Sequence, residues 1–170
     1  SVQNQDAYAQ GVAAQRPFYF DHVQELADRA MREFGELTGR FYDRAIGYRL
    51  DDADWVIAGQ GSVIPNAEAV ADHLRDKGMR VGVLNLTMFR PFPADLMTSL
   101  LKGKEGVTVM ERLDQPLAVD PPILREIRAA MSKGVENGRA GRAEGAALPH
   151  PGLTPLAPEE VPDFYACGFG

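Results

Sequence analysis

Cysteine, histidine and tryptophan are scarce in this sequence, and each shortage limits the chemistry that the chain can perform. Cys167 is the only cysteine among 170 residues, so no internal disulfide, iron–sulfur cluster or cysteine zinc site can form from this chain alone. The histidines, His22, His73 and His150, lie on different predicted segments, and no pair has the spacing of metal ligands. We therefore predict no metal site and no cofactor-binding site in this chain.

Long apolar runs and surplus positive charge are also missing. No run approaches the ~20 apolar residues of a membrane helix, and the chain does not open with a secretory signal pattern. The net charge of −6 and the pI of about 5.1 argue against a nucleic-acid-binding surface, which is normally basic. A single thiol suits a reducing compartment, so we expect a cytoplasmic protein without membrane or nucleic-acid partners.

Acidic residues are plentiful, but they do not form a catalytic arrangement. They fall on the charged faces of predicted helices, where they keep the surface solvated. None is placed beside a nucleophile, and none pairs with a second carboxylate as a general acid and base. The sequence therefore offers no candidate catalytic residue.

Three apolar runs organise the chain, at residues 55–58, 81–86 and 107–110. Helical patterns lie between them, at 63–77 and 94–101. Strands that are apolar throughout and alternate with helices are typical of a parallel sheet covered on both faces. The predicted fold class is α/β, a three-layer, mostly parallel open sheet with helices on both faces.

A further helix is predicted before this core, starting near Asp21 as its N-cap and ending at Gly39. Its apolar residues recur at spacings of three and four and would pack on a partner: Val23, Leu26, Ala27, Ala30, Met31, Phe34 and Leu37. Residues 40–50 are predicted to be an edge strand. Candidate inward positions of that strand are Phe41, Ala45 and Tyr48.

Composition divides the chain into four predicted segments. Residues 1–20 are an arm or linker from a preceding domain, with an extended aromatic cluster at 16–20, and residues 21–132 form the α/β domain. The last helix of that domain starts at Asp120-Pro121 and buries Ile123, Leu124, Ile127 and Met131. Residues 133–163 are a Gly/Ala/Pro-rich linker or surface excursion, and residues 164–170 start a further strand or domain. The opening at Ser1 and the closing glycines suggest a piece of a longer polypeptide.

The turn Gly59-Gln60-Gly61-Ser62 lies between the first predicted strand and its helix, where phosphate sites occur in open sheets. The dinucleotide fingerprint needs a third glycine where Ile64 stands, and an acidic residue after the second strand, which is absent. Two interpretations remain. The turn is a tight connection capped by Ser62, or the chain is a stand-alone nucleotide-binding α/β module.

Two loops contain the candidate functional residues. Arg90 and Phe92 follow the second strand, and Glu111 and Arg112 follow the third. Both loops lie at the carboxyl edge of the predicted sheet, where open sheets present function. We predict that these four residues dock neighbouring domains; an internal salt bridge with loop packing is the alternative.

Several motifs together resemble the second domain of pyruvate:ferredoxin (flavodoxin) oxidoreductases, a 2-oxoacid:acceptor oxidoreductase family. They are the run from Ala53 to Ser62, the helix and strand from Ala67 to Leu84, Phe89-Arg90-Pro91-Phe92-Pro93, and the upstream Leu37-Thr38-Gly39-Arg40. The resemblance covers about residues 6–131 and implies a fold similar to the transketolase C-terminal domain. The equivalent domain of a transketolase or of a 2-oxoacid dehydrogenase is an alternative parent.

The resemblance also implies what the rest of such an enzyme does. The parent would oxidatively decarboxylate a 2-oxoacid such as pyruvate to acyl-CoA, with thiamine diphosphate, Mg, [4Fe–4S] clusters and coenzyme A as cofactors. Ferredoxin or flavodoxin would accept the electrons. In that family these cofactors lie mainly on other domains, so the resemblance places no cofactor in this chain, which would be inactive alone and would dock other domains or subunits.

Overall fold

The computed structural model describes residues 4–113, 115–141 and 147–170. The chain divides into two compact units, Ser1–Asp43 and Arg44–Gly170, so the division falls about twenty residues after the predicted end of the arm. No helix among the described residues is long and apolar enough to span a membrane.

The first unit consists of two helices joined by a short 3-10 turn. Helix α1 spans Gln5–Phe18, a 3-10 turn spans Phe20–His22, and α2 spans Val23–Thr38. The predicted extended cluster at residues 16–20 is wrong, because α1 runs to Phe18 and the 3-10 turn starts at Phe20. Alanine and glutamine favour the helix. Pro17 removes one backbone hydrogen bond in the last turn, and the helix ends one residue later at Phe18.

Helix α2 has the predicted C-terminus but not the predicted cap at its start. Gly39 adopts the left-handed conformation, with φ of 72°. Asp21 lies inside the 3-10 turn and faces Arg16 at 3.7 Å, and no side chain caps the first turn. Within the described part of this unit only Gly35 is buried, because the ring of Phe41 covers its α-carbon. The apolar stripe of α2 is largely exposed, with Leu37 at 86 %.

The second unit is built on a five-stranded sheet. Its strands are β1 Ala45–Tyr48, β2 Trp55–Gly59, β3 Val81–Leu86, β4 Gly106–Glu111 and β5 Asp163–Gly168, and their order is β1-β3-β2-β4-β5. Strands β2 to β5 are parallel, and β1 pairs antiparallel with β3 at one edge. The three predicted apolar runs lie side by side as β3, β2 and β4, which confirms the α/β fold class.

Helices cover both faces of the sheet. Helix α3, Ile64–Asp76, packs on one face with Val81 and Val83 beneath it. Helices α4, Ala94–Leu100, and α5, Pro122–Ala140, pack on the other face over Val56, Val107 and Val109. Alternate residues of each strand face opposite layers, which explains why the apolar runs are continuous.

Some local predictions differ from the structure in the second unit. Ala45 packs in the α4–α5 core and Tyr48 beside the α3 core, because an odd spacing along a strand places side chains on opposite faces. Phe41 lies outside β1 and is 71 % exposed. Neither Ser62 nor Asp120 caps a helix, since α3 and α5 start without a side-chain cap from the preceding residue.

The largest difference concerns residues 133–163. Helix α5 continues through Gly134 and Gly138 to Ala140, and Leu156 packs directly against both glycines. Asn137 is fully buried, donates to the carbonyls of His150 and Leu153 at 2.8 and 2.9 Å, and accepts from the His150 N–H at 3.0 Å. Residues 133–140, predicted as the start of a linker or surface excursion, thus continue α5, and their glycines permit close packing of the return segment. The chain then enters β5 of the same sheet.

A buried ion pair ties the edge strand to α4. The Arg44 guanidinium donates two hydrogen bonds to the Asp95 carboxylate, both at 2.7 Å, and its side chain is 8 % exposed. These charge-assisted bonds hold the pKa of Asp95 below its usual value. The pair thereby fixes the start of β1 against the helix layer.

Candidate functional site

The sheet reverses its winding direction between β2 and β4. The chain leaves β2 through α3 toward β3, and it leaves β4 through α5 toward β5 on the opposite side. The loops after these two neighbouring strands therefore diverge, and such a switch point is the usual ligand or contact site of open α/β sheets. A cavity of about 350 Å³ opens there, lined by Gln60, Phe89, Met110, Glu111, Arg112, Leu113, Pro122 and Ile123.

Glu111, the last residue of β4, forms the floor of this cavity and is 4 % exposed. Its carboxylate accepts the N–H of Ile123 at 3.0 and 2.9 Å and the N–H of Leu124 at 3.1 Å. These N–H groups lie in the first turn of α5, where a helix has no internal acceptor and carries partial positive charge. The side chain thus caps α5 from a neighbouring strand and does not face outward.

The loop after β3 forms a stacked group beside the cavity. The Arg90 guanidinium lies 4.1 Å from the centre of the Phe89 ring, and Phe92 meets the same ring edge-on at 6.2 Å. Arg90 also donates to Glu126 on α5 at 2.7 Å. The peptide bond between Arg90 and Pro91 is cis. Loop and helix are therefore linked by a partly exposed ion pair.

The structure brings the four predicted residues to the same edge but gives them different environments. Glu111 and Arg112 line the cavity, whereas Arg90 and Phe92 reach it only through Phe89. Arg112 and Arg90 are exposed, while Glu111 is buried and Phe92 is half-buried. An internal salt bridge, the alternative interpretation of these loops, is present between Arg90 and Glu126. Docking by the four residues stays a prediction.

Sequence reasoning did not select Phe89, Pro122 or Ile123 as cavity residues. Phe89 stands next to a residue that was chosen, and its apolar character marked it as packing. Pro122 and Ile123 reach the site because α5 starts beside β4. This proximity follows from the order of the strands in the sheet. The hydrophobic periodicity of the individual segments does not predict that order.

The glycine turn after β2 is a compact connection. Gly61 has φ of 78° and opens a 3-10 turn that continues into α3. A side chain at Gly59 would lie 3.3 Å from the Met110 carbonyl oxygen and from Val63. The glycines are thus explained by chain direction and by close packing against β4. Gln60 alone of this turn reaches the cavity wall.

The described residues offer no donor set for an iron–sulfur cluster or a metal ion. One cysteine cannot ligate a four-thiolate cluster. Among the described residues no group of three His, Cys, Asp or Glu is placed to hold a metal ion. The carboxyls with lowered pKa, Asp52 beside Arg75, Asp95 beside Arg44 and Glu160 beside the Ala157 N–H, lie outside the cavity lining.

Comparison with known proteins agrees with the family resemblance of the sequence motifs. Residues 53–147 match the family model described as pyruvate:ferredoxin oxidoreductase core domain II. A probable pyruvate-flavodoxin oxidoreductase of Escherichia coli is 34 % identical over 139 residues, which are 79 % of this chain and 12 % of that protein. The pyruvate synthase subunit PorA of Thermotoga maritima is 32 % identical over 124 residues, covering 67 % of this chain and 31 % of the subunit.

A relative named for a different substrate is also similar. The ketoisovalerate oxidoreductase subunit VorA of Pyrococcus horikoshii is 37 % identical over 94 residues, which are 54 % of this chain and 24 % of that subunit. In each of these comparisons the chain spans less than a third of the relative.

Proposed function

Because the chain belongs to the pyruvate:ferredoxin oxidoreductase family and matches its core domain II, we propose that it is a scaffold and docking domain of a larger 2-oxoacid oxidoreductase. The parent enzyme oxidatively decarboxylates a 2-oxoacid such as pyruvate to acyl-CoA and passes electrons to ferredoxin or flavodoxin. The observation that carries the proposal is the match to this domain in a chain with one cysteine, too few to ligate a [4Fe–4S] cluster.

The chemistry belongs to other portions of the enzyme in this proposal. Thiamine diphosphate, Mg, the [4Fe–4S] clusters and coenzyme A are held by other domains or subunits. Support comes from the single thiol and from the relatives, which are more than twice as long as the chain. The isolated chain is then catalytically inactive. The compartment in this proposal is the cytoplasm.

The docking surface is the carboxyl edge of the sheet around the switch-point cavity. Arg112 and Arg90 present their guanidinium groups there, and arginine is enriched where protein interfaces carry binding energy. Glu111 and Phe92 contribute indirectly, since Glu111 fixes the start of α5 and Phe92 buttresses Phe89. The four predicted residues thus form one docking set with two contacting and two positioning members.

Arginine substitutions in the whole enzyme test this surface. We expect Arg112→Ala to weaken assembly at least tenfold, which corresponds to about 1.4 kcal/mol, and Arg90→Ala to have a smaller effect because Glu126 already neutralises it. Native mass spectrometry measures the assembly, and 2-oxoacid-dependent viologen reduction measures turnover. Arg139→Ala, an exposed position near the far end of α5, is the matched control. Unchanged assembly and turnover in Arg112→Ala would contradict the docking role.

A stand-alone nucleotide-binding module is the second candidate, favoured by the cavity at the switch point. Titration calorimetry of the isolated chain with NAD, ATP and coenzyme A separates the two functions. The docking domain is expected to release no binding heat with any of them. Micromolar binding that is lost in Gln60→Ala would favour the module.

A further inference from the structure

One face of the sheet is only half covered in the second unit. Of the described residues 44–170, α3 alone packs on that face, over β2 and β3. The start of β2 and the β4–β5 half present exposed or half-buried side chains that share this face by register: Trp55, Thr108, Met110, Tyr165 and Cys167. Trp55 is 40 % exposed and Tyr165 is 49 % exposed. These five residues are called the open strip.

Helix α3 forms an apolar wall along the open strip. Leu74 and Met79 line a cavity of about 280 Å³ together with Trp55, Ile57, Thr108 and Met110. Val70 lies one helical turn before Leu74 on the same flank and is 48 % exposed. The strip and the wall together form an apolar groove of large aromatic and methionine side chains, the composition found at the centres of protein interfaces.

The width of the groove matches a single helix. The open strip extends from β2 across β4 to β5, which is two strand spacings of about 4.8 Å, or roughly 10 Å. An α-helix with its side chains is about 10–12 Å across. Parallel sheets are normally covered by helices on both faces, so the missing cover has the dimensions of one helix beside α3.

A second copy of the sheet unit is poorly suited to this groove. Its own strip is bounded by α3 and is equally concave, so two strips cannot fill each other. The outer side of α3 is polar and exposed at Asn66, His73 and Asp76. Two chains that each carry a net charge of −6 also repel each other.

From these observations we infer that the groove binds an amphipathic helix supplied by the rest of the enzyme, outside these 170 residues. The inference rests on the proposed function, because it takes the chain to be part of a larger assembly, as the length of its relatives indicates. The apolar face of that helix covers Trp55, Met110 and Tyr165 beside α3. The sheet then gains its second helix on this face.

Cys167 permits a direct test, since it is the only thiol of the chain and lies on the open strip. Iodoacetamide labelling followed by peptide mass spectrometry gives its rate in the isolated chain and in the intact enzyme. We expect labelling at least tenfold slower in the intact enzyme, with the urea-unfolded chain as the reference for full access. Equal rates in both forms would overturn the inference.

Photocrosslinking identifies the occupant. Benzoylphenylalanine replaces Tyr165 in the intact enzyme, and the same group at His73 on the polar side of α3 is the control. The expected adduct joins position 165 to one segment outside these 170 residues that has apolar residues at helical spacing. An adduct within these 170 residues, in the same or a second copy, or no adduct at all, would contradict it. Neither labelling nor crosslinking requires turnover. An enzyme without 2-oxoacid activity would therefore refute the proposed function but not the inference about the groove.

Discussion

At the scale of the residue, Glu111 shows how one carboxylate can hold two elements together. It ends β4 and accepts three hydrogen bonds from the N–H groups of Ile123 and Leu124 at the start of α5. From the sequence alone the residue is an exposed acid in a loop. Its inward orientation depends on α5 starting beside β4, which only the folded chain reveals.

Removing this carboxylate should loosen α5. Glu111→Ala leaves buried N–H groups without an acceptor, and we expect the free energy of unfolding to fall by about 1.5–3 kcal/mol. Glu111→Gln keeps one acceptor oxygen and should lose less. Urea denaturation followed by circular dichroism measures both, with the exposed Glu159→Gln as control. Equal stability of Glu111→Ala and the unchanged chain would refute the capping role.

The pair of Arg44 and Asp95 should add a pH dependence to stability. The pKa of Asp95 is lowered in the folded state, chiefly by the hydrogen bond from Arg44. The pair therefore stabilises the fold above the usual aspartate pKa of 3.8, and this contribution is lost as the pH falls through the lowered pKa. At pH 7 we expect Asp95→Asn to lose about 1–3 kcal/mol.

Urea midpoints between pH 7 and pH 2.5 check this prediction. The difference between the unchanged chain and Asp95→Asn should shrink toward acid pH, because the unchanged chain loses the same ion pair there. The exposed Asp76→Asn on α3 serves as control. A difference that stays constant over the whole range would show that Asp95 acts only as a neutral hydrogen-bond acceptor.

At the scale of the element, α5 contains glycines that should stabilise the fold relative to alanine, the opposite of their usual effect in a helix. Alanine normally stabilises a helix interior by about 1 kcal/mol relative to glycine. A methyl group at Gly138 would overlap the carbonyl of Leu156, so Gly138→Ala should destabilise the sheet unit by about 1–3 kcal/mol. Gly11→Ala in α1, where nothing lies within 4 Å, should instead raise helicity in far-ultraviolet circular dichroism. A stabilised Gly138→Ala would mean that residues 154–157 pack elsewhere.

The same contact explains where sequence reasoning succeeded and failed. The central strands were predictable to within one residue because buried parallel strands are apolar at nearly every position, as in Val81–Leu86, where Asn85 is the single polar residue. The far half of α5 was missed because Gly134, Asn137 and Gly138 look like loop residues. The two glycines are required by Leu156, eighteen or more positions away, and Asn137 bonds the backbone of His150 and Leu153. Helix α1 was missed because its polar and alanine-rich sequence has no apolar period.

At the scale of the whole molecule, the two units differ in their sources of stability. The buried apolar core lies entirely in Arg44–Gly170, whereas Gly35 alone is buried among the described residues of the first unit. We expect a fragment of residues 44–170 to unfold cooperatively in urea near the midpoint of the full chain. A peptide of residues 1–43 should show little helix by circular dichroism, because isolated helices of this length are marginal. A molten 44–170 fragment would contradict this division.

Family membership could be predicted from the sequence, but the proposed docking surface could be predicted only in part. The combination of the Arg90-Pro91-Phe92 loop with the strand and helix around Gly59 carried the resemblance, and the match to core domain II confirms it. The same match favours this parent over a transketolase or a 2-oxoacid dehydrogenase. The proposed division of the four predicted residues into contacting and positioning members required the cavity and its neighbours.

The antiparallel edge strand has a consequence for the connectivity of the sheet. Ala45 pairs with Leu86, and Gly168 pairs with Glu111, so the polypeptide enters and leaves the sheet along the same rim. The tight turn at Gly78 lies on the opposite rim, remote from both connections. Because both connections lie on one rim, we expect an epitope tag inserted at Gly78 to leave the path of the chain into and out of the sheet unchanged.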